Sequence, residues 1–147
     1  MKTFEELKEE LLTRAKNADA CQPGYAMGLR SNTKADLLKA ITENWFWVLV
    51  EAKIVDAEYL EDNFTEEELS QAGIYTKNTH GLRTASFACG SATVEAYDSA
   101  TVKAYGNSYV EDCTGNIRPE SDYAIVKDYH NHKIYIKKGK FKIIEID

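Results

Sequence analysis

The sequence predicts an α+β fold: a helical part over residues 1–75, then a small two-sheet β-solenoid over 83–147 that ends in a capping hairpin. Three observations carry this reading. Residues 91–98 (Ser-Ala-Thr-Val-Glu-Ala-Tyr-Asp) and 99–106 (Ser-Ala-Thr-Val-Lys-Ala-Tyr-Gly) are tandem near-copies, a period of eight that holds outward into 107–114 and returns in phase at 124–129. The first half shows helix-start signals followed by apolar residues at helical spacing. The last fifteen residues alternate apolar and lysine around Lys138-Gly139, the pattern of a hairpin.

Within each octad the small apolar residues alternate, Ala92, Val94 and Ala96, then Ala100, Val102 and Ala104. Period two marks a half-buried strand, and Gly90, Asp98-Ser99, Gly106-Asn107 and Thr114-Gly115 mark the turns. A flattened solenoid with two octads per coil and an antiparallel meander both fit eight-residue units. The narrow Ala-Val-Ala face favours the solenoid, because it suits sheets packed closer than the usual ~10 Å. The alternating signs of Glu95, Lys103 and Glu111 favour the meander, since a two-octad coil stacks Glu95 on Glu111. At an exposed face that repulsion is small, and the solenoid is the expectation, with Val94, Val102 and Val110 pointing inward.

The octads resemble Asn-Ala-Thr-Val-x-Ala-Tyr-type repeats found in short β-solenoid segments of uncharacterised bacterial and phage proteins. The resemblance covers about a third of the chain, is strongest over 91–106, and lapses at 115–122, where Arg118, Pro119 and Glu120 fall at strand phases and read as a loop or bulge. Residues 21–49, with Gly24 ahead of a Trp-rich helix, are loosely similar to helical segments of phage-type proteins. The resemblance implies a scaffold and a mobile-element origin, and names no activity.

In chain order, Thr3-Phe4-Glu5-Glu6 is a capping box opening a helix to about Ala18. Cys21-Gln22-Pro23-Gly24 reads as a breaker, with a further helical turn over residues 25–31. Thr33 caps a long helix to about Lys53 with Leu37, Leu38, Ile41, Trp45, Val48 and Leu49 inward. Its Trp45–Val50 stretch is apolar all round, so it is expected at the centre of the core, against the first helix on one side and the solenoid on the other. Asp56 caps a short helix to about Asn63, and Thr65-Glu66-Glu67-Glu68 opens another that stops at Gly73. Residues 74–82 read as a link. Ile134, Ile136, Ile144 and Ile146 are expected to close the solenoid's end, as repeat arrays require.

The 147 residues carry a formal charge of −6, unevenly spread. Residues 1–80 hold 15 acids against 9 Lys and Arg, while residues 81–147 hold 9 of each. Asp56, Glu58, Glu61, Asp62, Glu66, Glu67 and Glu68 gather with no cation between Ile54 and Thr76, and Lys133, Lys137, Lys138, Lys140 and Lys142 gather near the C-terminus. No apolar run reaches the ~18 residues of a membrane span, and the acids after Met1 do not suit a signal peptide. With three cysteines at no metal-type spacing, a cytoplasmic protein with free buried thiols is expected.

Nucleophile elbow, phosphate loop, dinucleotide fingerprint and Cys-x-x-Cys are all missing from the sequence, so no catalytic residue and no cofactor is assigned. Asp128, His130 and His132 share parity and are the basis of a metal-dependent-enzyme alternative, set against a turn at His130-Asn131. Tyr97, Tyr105 and Tyr129 share a phase and are expected as an outward ladder, either strand-stabilising or a recognition face.

These features lead to a non-enzymatic protein-binding module as the expected function, a phage-type inhibitor of a host defence complex in the manner of anti-CRISPR proteins. Its expected partner-binding residues are Asp56, Glu58, Glu61, Asp62, Glu66, Glu67 and Glu68, with Tyr97 and Tyr105. The partner is expected to be a host protein or ribonucleoprotein, with no direct nucleic-acid or membrane binding. A self-associating structural solenoid is the alternative.

Overall fold

Threonines start three of the five α-helices among the described residues. Thr3 Oγ1 accepts from the Glu6 amide at 3.3 Å while the Glu6 carboxylate accepts from the Thr3 amide at 2.9 Å. Thr33 with Asp36, and Thr65 with Glu68, repeat this reciprocal pair, which satisfies amide donors that a helix start leaves open. The structure, a computed structural model, describes residues 1–138 and 140–146, apart from the side chains of Lys138, Lys140, Phe141 and Lys142. It divides into two units, Met1–Ala72 and Gly73–Asp147.

In the first unit α1 (Phe4–Asn17) buries Leu7 and Leu11, α3 (Lys34–Glu43) buries Leu37, Leu38 and Ile41, and α4 (Ala57–Asn63) buries Tyr59 and Leu60. α5 (Glu66–Gln71) buries Leu69, and Gly73 follows it at φ +73°, the left-handed position that favours glycine. Two expectations are corrected. The helical turn expected over 25–31 begins earlier, as α2 (Gln22–Arg30), so Gln22-Pro23-Gly24 is its first turn and not a breaker, because proline fits a first turn, where its missing N–H would have no partner.

The long helix expected from Thr33 to Lys53 is interrupted at Asn44: α3 ends at Glu43, and helical winding resumes at Trp45 and Phe46. Asn44 Nδ2 donates to the Ala40 carbonyl at 2.9 Å, the acceptor its own backbone N–H would use, and that N–H falls back on Ile41 at 3.2 Å. The chain then winds into a π turn at Trp47–Glu51, closed by the Ala52 amide on the Trp47 carbonyl. Trp45 and Val48 are buried, but Phe46 is 48% exposed, so the run is not enclosed on every side as expected.

The second unit is a β-solenoid of about three turns. Its strands are β1 (Ile74–Tyr75), β2 (Thr79–Leu82), β3 (Ser86–Ala88), β4 (Thr93–Ala96), β5 (Val102–Ala104), β6 (Tyr109–Asp112), β7 (Ile125–Asp128), β8 (Lys133–Lys138) and β9 (Lys140–Glu145). Successive octads enter alternate sheets: β1-β3-β5 form one, β2-β4-β6-β7-β8-β9 the other, all parallel up to β7. Thr93 pairs with Tyr109 and Tyr109 with Ile125, so one coil takes two octads. Val94, Val110 and Val126 stack at zero exposure in a core that also holds Ala88, Val102 and Ala104 from the facing sheet. Glu95 lies beside Glu111 as the coil requires, and Lys127 follows Glu111, so the stack ends on an opposite charge.

Residues 74–82 are not a link. They form β1 and β2, whose backbone pairs with the octad strands although their side chains do not repeat the octad. Residues 115–122 are the expected loop and keep one parallel bridge, Ala104 to Pro119.

The terminal hairpin is also as expected, although its turn residue Gly139 lies outside the described residues, as do the side chains of Lys138, Lys140 and Lys142 in the C-terminal lysine group. β8 runs antiparallel on β7, but the face it turns inward is not the isoleucine face. Tyr135 pairs with Val126 and is 6% exposed within the core, while Ile144, the register partner of Ile134, is 38% exposed. The turn 129–132, with His132 at φ +55°, sets this parity, and a shift of one residue exchanges the two faces of a strand. No helix among the described residues is long and apolar enough to cross a membrane.

Candidate protein-binding surface

The acidic stretch occupies two successive short helices and the caps between them. Asp56 Oδ1 accepts from the Tyr59 amide at 2.8 Å and Glu68 Oε2 from the Thr65 amide at 2.8 Å, so these two carboxylates are committed to helix starts. Lys34 Nζ donates to the Asn63 carbonyl at 2.9 Å and lies 3.9 Å from Glu68, which ties α3 to the α4–α5 junction. Glu58, Asp62, Glu66 and Glu67 are exposed, and Glu61 is half-buried. The ridge therefore divides into carboxylates that hold the fold and carboxylates that face solvent.

The expected tyrosine ladder does not form. Consecutive octads lie in opposite sheets, so Tyr97 and Tyr105 point away from different faces, and Tyr105 is only 4% exposed. The 16-residue step from Tyr97 falls on Cys113, and the next on Tyr129. On this outer face Tyr97 Oη donates to Glu95 at 2.7 Å and Tyr129 Oη to Glu111 at 3.1 Å, with Lys127 Nζ 4.7 Å over the Tyr129 ring. The hydrogen bond to Glu95 holds the Tyr97 hydroxyl above the ordinary tyrosine value. These contacts are the strand-stabilising kind.

Asp128, His130 and His132 do not converge. Asp128 is fully buried, accepting from Asn131 Nδ2 at 2.8 Å and from the Asn131 amide at 2.9 Å, whereas both histidines are exposed on the turn after it. Burial pushes the Asp128 carboxyl up, but the hydrogen bonds from Asn131 and His130, with Arg118 at 3.8 Å, outweigh it and hold it below the usual aspartate value. Among the described residues no three His, Cys, Asp or Glu side chains gather as a metal would need.

Neither the family models, nor the curated proteins, nor the solved structures compared with this chain give a match.

Two features escaped the sequence reading. Asp112 and Asp128 follow Leu82 and Ala96 at one inward position of successive coils, as register partners. Asp112 accepts from the amides of Thr114, Gly115 and Ile117 and from Thr114 Oγ1, so it holds the corner where the octad pattern lapses. The signal was an aspartate at an alanine phase. The second is an apolar cleft in the helical unit, whose walls come from four separate segments.

Proposed function

We propose that the chain is a non-enzymatic protein-binding module that acts through the acidic ridge of α4 and α5. The observation that carries this reading is the exposure of Glu58, Asp62, Glu66 and Glu67 on consecutive helices, in a stretch without Lys or Arg from Ile54 to Thr76. Such a ridge imitates the spaced negative charge of a nucleic-acid backbone and competes for a basic channel, with association that is fast and salt-sensitive. The phage-like character of the octads makes the partner a host defence protein or ribonucleoprotein, inhibited as anti-CRISPR proteins inhibit theirs. The solenoid serves as scaffold in this reading.

Capture of a partner from bacterial lysate tests it. The combined variant Glu58→Gln, Asp62→Asn, Glu66→Gln, Glu67→Gln leaves both cap carboxylates in place and is expected to keep the fold while reducing capture on the order of tenfold or more. Raising salt is expected to do the same to the unmodified chain. Undiminished capture by the variant contradicts the charge-mimic mechanism.

A second reading, self-association, is favoured by one observation: β9 is the last strand of its sheet and exposes Ile143 and Ile144. It predicts a concentration-dependent dimer mass by light scattering that Ile143→Lys abolishes.

A further inference from the structure

The helical unit contains a cleft of about 200 Å³. Leu11 and Ala15 of α1, Gly24 and Gly28 of α2, Leu37 and Ile41 of α3, and Trp47 and Val48 of the π turn all contribute to its walls. We propose that this cleft is a binding site for a small uncharged ring compound, of one ring or two fused rings, that carries one hydrogen-bond donor.

Size and wall chemistry both point there. A dry cavity of about 150 Å³ lined by Leu, Ile and Phe takes benzene, so this volume suits roughly six to ten non-hydrogen atoms. No Lys, Arg, Asp or Glu lines it, which leaves a charged ligand without a partner for its charge. Asn44 brings a side-chain amide to the cleft wall, where Tyr25 and Trp47 also carry a hydroxyl and an indole N–H. Its Nδ2 is committed to the Ala40 carbonyl at 2.9 Å and faces Met27 Sδ at 3.7 Å, which leaves Oδ1 as an acceptor against Gly24.

Glycines set how closely α2 approaches the other walls. A Cβ on Gly24 would stand 3.1 Å from Asn44 Oδ1, and one on Gly28 would stand 3.0 Å from Leu12 Cδ2, so α2 already lies as near as glycine allows. On the other side Trp47 and Val48 enter from the π turn, a wide turn that recurs at functional sites. Apolar clefts with a few placed polar groups are the usual form of a small-molecule site.

The chain supplies its own reporter. Of the three thiols expected to be buried, Cys89 is, but Cys21 is exposed where it lines the cleft, and Cys113 is exposed in the solenoid. Alkylation is followed at both exposed thiols of the full chain in the presence of indole, with indole-3-acetate as the charged analogue. Burial, with Asp112 and Glu111 nearby, raises the Cys113 thiol, so its rate is compared only with itself. Millimolar indole is expected to slow Cys21 alkylation at least threefold and leave Cys113 unchanged, while indole-3-acetate protects neither. Ala40→Leu and, separately, Ala20→Leu, each verified as folded by circular dichroism, fill the cleft and are expected to abolish the protection. The site is overturned if indole fails to protect Cys21, if it protects Cys113 equally, or if protection persists in a folded filling variant. Equal protection by indole-3-acetate overturns the uncharged class.

Discussion

Asp112→Ala is expected to destabilise the solenoid by about 3–5 kcal/mol. The carboxylate is fully buried and accepts from the Thr114 amide at 2.7 Å, Thr114 Oγ1 at 2.7 Å, the Ile117 amide at 3.0 Å and the Gly115 amide at 3.2 Å. Alanine strands these donors where water does not reach, and each stranded donor costs about 1–3 kcal/mol, discounted here because the loop can relax. Domain stability is ordinarily about 5–15 kcal/mol, so the loss is a large fraction of the whole. Asp112→Asn keeps the shape but turns an amide donor toward backbone donors, and is expected to fall between. Urea denaturation followed by far-ultraviolet circular dichroism reads the effect. A loss below about 1 kcal/mol contradicts the corner's role.

Alkaline pH is expected to remove stability from both units between pH 10 and about 12. Tyr59 is 8% exposed, and burial, with Glu10 adding and Arg14 opposing, pushes its hydroxyl up to about 12. Burial, with Glu120, does the same to Tyr105, which is 4% exposed. Below pH 10 both tyrosines keep their protons in the folded and unfolded chain, so neither affects stability. Above it the unfolded chain ionises first, and the folded state loses about 2–3 kcal/mol per tyrosine by the time the folded values are reached. Phenolate absorbance and denaturation midpoints measured together test this. Tyr59→Phe and Tyr105→Phe should each flatten the alkaline loss by its share; an alkaline loss unchanged in both variants contradicts it.

Local rules carried far in this sequence where one interaction decides the structure. The reciprocal pairs at Thr3, Thr33 and Thr65 involve residues three apart, so spacing alone identifies them. Alternation likewise placed Val94, Val102 and Val110 inward. What spacing could not carry was long-range register. Two octads per coil separate Tyr97 from Tyr105 although they share a phase, so equal phase did not mean equal environment. β1 and β2 are strands because strands exist beside them, a tertiary effect absent from the residues at 74–82. Hairpin parity followed from a four-residue turn and not from isoleucine spacing, and the single side chain of Asn44 was enough to end α3 within an apolar run. Of the candidate surface, the acids were legible as a group, but their division into cap and solvent-facing carboxylates needed the hydrogen bonds.

The stacking of octads sixteen residues apart underlies every side-chain assignment in the solenoid, and nuclear Overhauser contacts between backbone protons measure it directly. The coil predicts parallel contacts joining residues 93–96 to 109–112 and those to 125–128, with none joining 93–96 to 101–104. Antiparallel contacts between 93–96 and 101–104 would make the chain a meander and contradict the solenoid.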